Sequence, residues 1–258
     1  MRPPPAFDDS RRRYSYRMPT INDDRPKLVG GLLTMPPIMV KPAKLLPVSF
    51  PGIPDYAGRL KALFGSSIVS YLPLDELSGS VAFDFSGSGN NGAYTGVTLG
   101  AAGIGDGRSA ASFDGSTSFC NWYSAPLAAA FNGDEGTASV WAKMASAGIW
   151  TDAAVRYFAR LTVSGAYDIA LFKTASDNTL ILQRVANSIG KGATFSSAGG
   201  LLTFFQVAIT WSLSADQVKV YFNGNQQGTT QTGLAAWVGS LSSSNVVVGA
   251  SVITPDQI

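Results

Sequence analysis

Beyond residue 66 the chain never sustains a helical period. It runs instead as short alternating or wholly apolar stretches, each closed by Gly, Asn, Asp or Ser. These stretches cover residues 68–72, 110–113, 118–123, 136–144, 156–163, 167–174, 180–186, 204–211, 217–222 and 246–250. The run Gly136-Thr-Ala-Ser-Val-Trp-Ala-Lys-Met alternates as a half-buried strand does. Asn223-Gly224, directly after Val218-Lys-Val-Tyr-Phe, is a tight-hairpin signal, because both positions tolerate positive φ. Antiparallel all-β with two packed sheets is the fold these runs predict. The composition agrees: 45% of residues are hydrophobic, enough for a sizeable core, only 14% are charged, and there are 28 glycines for turns.

The chain has no His. That removes His-based acid–base catalysis, Ser-His-Asp and Cys-His nucleophiles, and the commonest zinc ligand. Cys120 is the one cysteine and has no intrachain partner, so it reads as a packed thiol. The only glutamates are Glu76 and Glu135, both in turn contexts, and no strand carries acids at alternate positions. A glycosidase needs two carboxylates facing each other across a sugar, so the expectation is a chain that is not an enzyme.

Composition shifts near residue 66. Eleven of the 14 prolines lie at or before Pro54. Residues 1–66 carry a net charge of +6 and residues 67–258 a net −4. The reading is an extended, basic, Pro-rich arm over residues 1–55, a short helix and linker over 56–66, and a β-sandwich over 67–258. The helix rests on Leu60, Leu63 and Phe64, which share one face. The arm is too apolar for a solvated linker: Leu32, Leu33, Ile38, Val40 and Phe50 belong in a groove on a partner. Arg11, Arg12 and Arg13 form a basic cluster that could follow a phosphate backbone. Asp8 and Asp9 beside it favour a protein surface over nucleic acid. The start of the chain has no apolar signal-peptide core, and the run over 28–40 is short of the ~20 residues a membrane-spanning helix needs, so a cytoplasmically made, non-membrane protein is expected.

Several motifs, in order, resemble the laminin G-like (concanavalin A-like jelly-roll) domain. They are Tyr71-Leu-Pro-Leu-Asp-Glu-Leu-Ser-Gly, Asp84-Phe-Ser-Gly-Ser-Gly-Asn-Asn-Gly-Ala-Tyr and Ala111-Ser-Phe-Asp-Gly. Gly136-Thr-Ala-Ser-Val-Trp-Ala-Lys, Phe205-Gln-Val-Ala-Ile-Thr-Trp and Val218-Lys-Val-Tyr-Phe-Asn-Gly follow. Together they span most of residues 68–250. Such domains continue past a stretch like Val246-Val-Val-Gly-Ala-Ser with a further strand, and this chain stops at Ile258. Either the chain continues beyond Ile258, or the domain has an open edge at 68–72 that the arm, or a neighbour's arm, is expected to complete by strand addition.

The resemblance implies display or binding. Asp84, Asn90, Asn91 and Asp114 are candidate oxygen ligands for a structural calcium ion, the alternative being that they simply build turns. No other cofactor is expected. Trp122, Tyr123, Trp150 and Trp237 are candidate glycan-stacking aromatics, whereas Trp141 and Trp211, inside regular strands, read as core. Such domains occur in bacteriophage virion proteins. With the arm as anchor, the leading expectation is a structural protein of a virion: a capsid decoration, or a fibre- or tail-associated component. Its partners would be capsid or tail proteins and sister subunits of a homo-oligomer. The alternative is a carbohydrate-binding, lectin-like module that meets cell-surface glycans.

Overall fold

The computed structural model describes Gly58 and residues 62–176, 178–196 and 202–251. The arm over 1–55 lies outside the described residues, and with it Arg11, Arg12, Arg13, Leu32, Leu33, Ile38, Val40, Phe50 and the strand-addition expectation. Of the 56–66 segment, residues 62–64 are helical and lead into a 3₁₀ turn at Gly65–Ser67.

The chain then builds β1 (Val81–Ala82), β2 (Gly92–Thr95), β3 (Thr98–Ala102), β4 (Ser109–Ser112) and β5 (Phe119–Asn121). A short helix α1 (Ala125–Ala130) precedes β6 (Glu135–Ala142). A 3₁₀ turn (Ala147–Thr151) leads to the meander β7 (Arg156–Ser164), β8 (Tyr167–Lys173), β9 (Thr179–Ala186) and β10 (Ile189–Ser196). The last strands are β11 (Phe205–Ser212), β12 (Gln217–Phe222), β13 (Asn225–Gln231) and β14 (Val246–Val248). Among the described residues no helix is long and apolar enough to cross a membrane.

The strands form an antiparallel β-sandwich. One sheet has the order β1-β2-β5-β14-β7-β8-β9-β10, the other β13-β12-β11-β6, and β3 and β4 pair as a separate ribbon. Leu161, Ile169, Leu171, Leu180 and Leu182 of the larger sheet pack against Val207, Ile209, Trp211, Val218 and Val220 of the smaller one. Full burial of each such side chain contributes about 1.5–3 kcal/mol. The strict alternation of β9 and β11, one buried residue in two, is the local pattern that fixes which face turns inward. The β12–β13 hairpin turns at Asn223 and Gly224, both at positive φ, as the Asn-Gly pair requires.

Two expectations are corrected. Residues 68–72 form no strand: they run extended along the Asp84 loop, where Tyr71 N donates to Asp84 Oδ1 (2.8 Å) and Tyr71 O accepts from Phe85 N (2.8 Å). Helix does occur after residue 66, as α1. Ser124 caps it by accepting from Leu127 N at 3.0 Å, and a proline sits in its first turn. The Val246–Val248 strand, β14, lies between β5 and β7 in the larger sheet.

Cys120 is fully buried in a second cluster with Ala82, Tyr94 and Val248. Burial, with the Glu76 carboxylate adding to it, pushes its thiol up to about 12. The native protein is therefore expected to resist thiol-specific alkylation at neutral pH and to react at one site once unfolded in guanidinium, as read by mass spectrometry. Alkylation of the folded state at a free-thiol rate contradicts this packing.

Asp152 holds the end of β8. Its carboxylate accepts from the fully buried Lys173 Nζ (2.9 Å) and from Arg156 Nη2 (2.5 Å). Burial pushes its pKa up, but hydrogen bonds from Arg156, Lys173 and Ala154 N, with the Arg156 charge, outweigh burial and bring it from 3.8 to about 2. A carboxyl depressed on folding contributes stability that is present above the unfolded value and lost as pH falls through the folded one. The melting temperature is thus expected to drop between about pH 4 and pH 2. Asp152→Asn should start lower and lose less across that window. Equal slopes for the two proteins would rule out this pair as the cause.

Candidate functional site

The outward face of the four-stranded sheet is a regular polar surface. Its composition follows from parity. In β6, Ala138, Val140 and Ala142 pack against the core, so Thr137, Ser139 and Trp141 face out. In β11, Phe205, Val207, Ile209 and Trp211 point in, leaving Gln206, Ala208, Thr210 and Ser212 outside. In β12, Val218 and Val220 are buried and Gln217, Lys219 and Tyr221 face out. The registers align these into rows: Trp141 beside Gln206, Ser139 beside Ala208 and Tyr221, Thr137 beside Thr210 and Lys219.

Trp141 is 52% exposed on this polar face, near the end of the edge strand β6. With Ile104 and Leu202, which are also exposed and line a cleft with it, the indole forms an apolar patch of the kind that marks an interaction site. Gln206 Nε2 donates to Ser139 Oγ at 3.0 Å, which fixes an amide next to the ring. Ala208 is small and leaves the floor between Trp141 and Tyr221 low. At the far end of β6 the face opens into a cleft of about 440 Å³ lined by Gly103, Ile104, Gly105, Trp141, Lys143, Leu202, Thr203 and Phe204. Lys143 Nζ lies over the Phe204 ring, 5.1 Å from its centre. Amide, hydroxyl and aromatic groups on a rigid sheet can hydrogen-bond and stack on a polyhydroxylated ligand.

The aromatics expected from the sequence lie elsewhere. Trp150 is a correction: it is fully buried, packed against Phe205 at 5.7 Å, and no ligand can reach it. Trp237 is half-buried, with Phe131 and Tyr167 edge-on to it and the Arg184 guanidinium over its ring. Trp122 donates to Ser70 Oγ (2.9 Å) and packs between the two core clusters, and Tyr123 packs against the larger one. Trp211 is in the core as expected, but Trp141 is not.

The candidate calcium ligands separate into two turns. Asp84 Oδ1 accepts from Tyr71 N and Ser86 N, and Oδ2 from Ser86 Oγ and Asn90 N. Burial pushes this carboxyl up, and those donors outweigh it, so its pKa ends below the usual value. Asn91 Oδ1 accepts from Asp84 N at 2.8 Å. Asn90 is buried, donates to Val69 O and accepts from Ser124 Oγ, tying the loop to the cap of α1. Asp114 Oδ1 accepts from the N–H groups of Ser116, Thr117 and Ser118, which hold its carboxyl well below the usual carboxylate range. These oxygens are engaged in building turns. Among the described residues no three His, Cys, Asp or Glu side chains are grouped to hold a metal ion.

Glu76 and Glu135 are also engaged separately. Glu76 accepts from Phe83 N (2.7 Å) and Tyr94 Oη (2.6 Å), and Glu135 from Ser214 N (2.9 Å).

No protein-family model matches the chain, and no curated protein matches it. Among solved structures the fold is similar to the receptor-binding domain of botulinum neurotoxin mosaic serotype C/D. That likeness has a TM-score of 0.51 at 17% identity, over 73% of this chain and 44% of that one. This chain thus spans less than half the length of that domain. A CBM40 module of a Ruminococcus gnavus IT-sialidase, solved with α2,3-sialyllactose, aligns at TM-score 0.39 and 14% identity, over 52% of this chain and 72% of its own. A protein of unknown function from Shewanella oneidensis MR-1 aligns at TM-score 0.40 and 15% identity, over 80% and 90%. At these identities the likeness is one of fold.

Proposed function

We propose that the β-sandwich is a non-catalytic carbohydrate-binding module whose site is the outward face of β6, β11 and β12. The observation that carries this reading is Trp141, half-exposed among Ser139, Gln206 and Thr137 on a rigid sheet. An aromatic platform surrounded by amides and hydroxyls suits a pyranose, which has an apolar face and a polar rim. The engagement of Glu76 and Glu135 in separate turns supports binding without hydrolysis. The botulinum receptor-binding domain, as its name states, uses a fold of this kind for binding. A glycan microarray probed with the full chain tests the reading. It predicts retention of a defined set of oligosaccharides, and no retention of any glycan refutes it.

A second reading, favoured by the basic, Pro-rich, hydrophobe-bearing sequence over residues 1–55, concerns location. The arm anchors the module to a virion, on capsid or tail proteins or on sister subunits, and the sandwich is displayed outward. Density-gradient sedimentation of lysate from the native source, with mass spectrometry of the particle band, tests it. Migration with particles supports the virion reading, and a free chain at the top of the gradient refutes it.

A further inference from the structure

The charge on the open face has a sign opposite to that of its domain. Residues 67–258 carry a net −4, and eight of them are Lys or Arg. Five of these eight are tied to carboxylates: Arg108 to Asp75, Arg156 and Lys173 to Asp152, Arg160 to Asp168, and Arg184 to Asp134. Lys191 makes no salt bridge among the described residues but lies near enough to Asp216 to help the N–H groups of Leu234 and Gly233 hold that carboxyl below its usual value. The two cations left without a carboxylate among the described residues are Lys143 and Lys219, and both belong to this face. Its one outward-facing acid in a strand, Glu135, sits at the opposite corner from Lys143 and is engaged by Ser214 N.

Each lysine also stands beside an aromatic on the outward side, Trp141 exposed and Tyr221 partly so. Lys143 and Trp141 are two residues apart and line the same cleft. Lys219 and Tyr221 are two residues apart on the outward side of β12. Two such pairs therefore face the same solvent, separated by the low floor at Ala208. Trp141 pairs with Gln206 and Tyr221 with Ala208, so the two aromatics are offset by two strands and two residues. That offset puts their Cα atoms about 12 Å apart on a regular sheet. A single sugar ring cannot stack on both.

We infer that the ligand is an acidic oligosaccharide lying diagonally across the sheet, one ring on Trp141 and another on Tyr221, with its anionic groups beside Lys143 and Lys219. This rests on the carbohydrate-binding reading above and names the ligand class for the same face. The aromatic pair sets the length of the ligand, and the lysines set its charge. Uronic-acid carboxylates and sugar sulfates share the required chemistry.

The test is isothermal titration of the full chain with three hexasaccharides: an oligogalacturonate, a heparin fragment and neutral cellohexaose. Galacturonic acid monomer is the length control. The expected result is that one or both acidic hexasaccharides bind, that affinity falls with added salt, and that the monomer binds at least tenfold more weakly. A hydrogen bond to a charged group typically contributes enough that Lys143→Gln and Lys219→Gln should each weaken acidic binding by about tenfold. Both variants keep the aliphatic stem and remove only a charge with no carboxylate partner among the described residues, so their melting temperatures are expected to match the parent's within a few degrees. Cellohexaose binding to the parent as tightly as the acidic hexasaccharides would overturn the acidic inference while leaving the carbohydrate site standing. Acidic binding unchanged in both variants would overturn it as well. Binding of none of the sugars, in a parent whose melting curve is intact, would remove the carbohydrate reading and this inference together.

Discussion

Trp141→Ala is expected to weaken glycan binding about 30-fold while leaving the melting temperature within a few degrees of the parent. The magnitude follows from the place of the ring. A tryptophan that anchors a binding interface typically carries about 2 kcal/mol or more, and 1.4 kcal/mol is tenfold in Kd. The separation of binding from stability follows from parity: the indole stands on the polar side of β6, and its loss opens no cavity beneath Val140 or Ala142. Titration calorimetry paired with thermal melts checks both halves. A Trp141→Ala protein that binds as the parent does would place the site elsewhere, and one that unfolds would make the ring structural.

Arg184→Ala is expected to destabilise the protein by about 3 kcal/mol or more, measured as a shift in the urea midpoint. Arg184 points from β9 into the sandwich and is fully buried. It donates to Gly133 O (2.8 Å), Ala235 O (3.0 Å) and Asp134 Oδ1 (3.3 Å), joining two loops to the larger sheet. Its guanidinium covers the Trp237 ring, and Trp237 N donates to Asp134 at 2.7 Å. Removing the side chain leaves two carbonyls without a donor and opens a void under the indole. Asp134, about a third exposed, can recover water, which keeps the effect below that of a fully buried ion pair. Arg184→Ala should leave glycan affinity unchanged at temperatures where it is folded, because the node is on the core side of the sandwich. A loss below about 1 kcal/mol would mean that the loops hold themselves.

Periodicity made the sandwich legible. Strands β6, β8, β9, β11 and β12 carry enough alternation or β-branched residues to be read one by one. The strands that escaped reading lack that signal. β13 is Asn-Gln-Gln-Gly-Thr-Thr-Gln, with no buried residue, and it exists because the Asn-Gly turn folds it back onto β12. β10, Ile-Gly-Lys-Gly-Ala-Thr-Phe-Ser, is an edge strand that follows β9 in register and likewise buries nothing fully. Residues 68–72 look like a strand by composition, but the Asp84 side chain takes Tyr71 N in place of a neighbouring strand.

The site was half legible. Within 136–144, the inward set Ala138, Val140 and Ala142 already puts Trp141 in phase with Thr137 and Ser139. The expectation of a core tryptophan weighed residue type over phase, and phase decided. Nothing local marks Trp150 as buried: it follows Ala-Gly-Ile in a 3₁₀ turn and is covered only when that turn closes over Phe205. The diagonal placement of Tyr221 and Trp141 needs the register of three strands, of which β6 lies far from β11 and β12 in the chain.

The central claim is that the outward face of the four-stranded sheet is the binding surface. The chain has five tryptophans, so each indole N–H supplies one resolved NMR signal. The measurement is an isotope-labelled indole spectrum of the full chain, titrated with the oligosaccharide that the array selects. The account predicts that the Trp141 signal moves with saturating dose dependence while those of buried Trp150 and Trp211 stay fixed. Movement of Trp122 or Trp237 with Trp141 unmoved would contradict it.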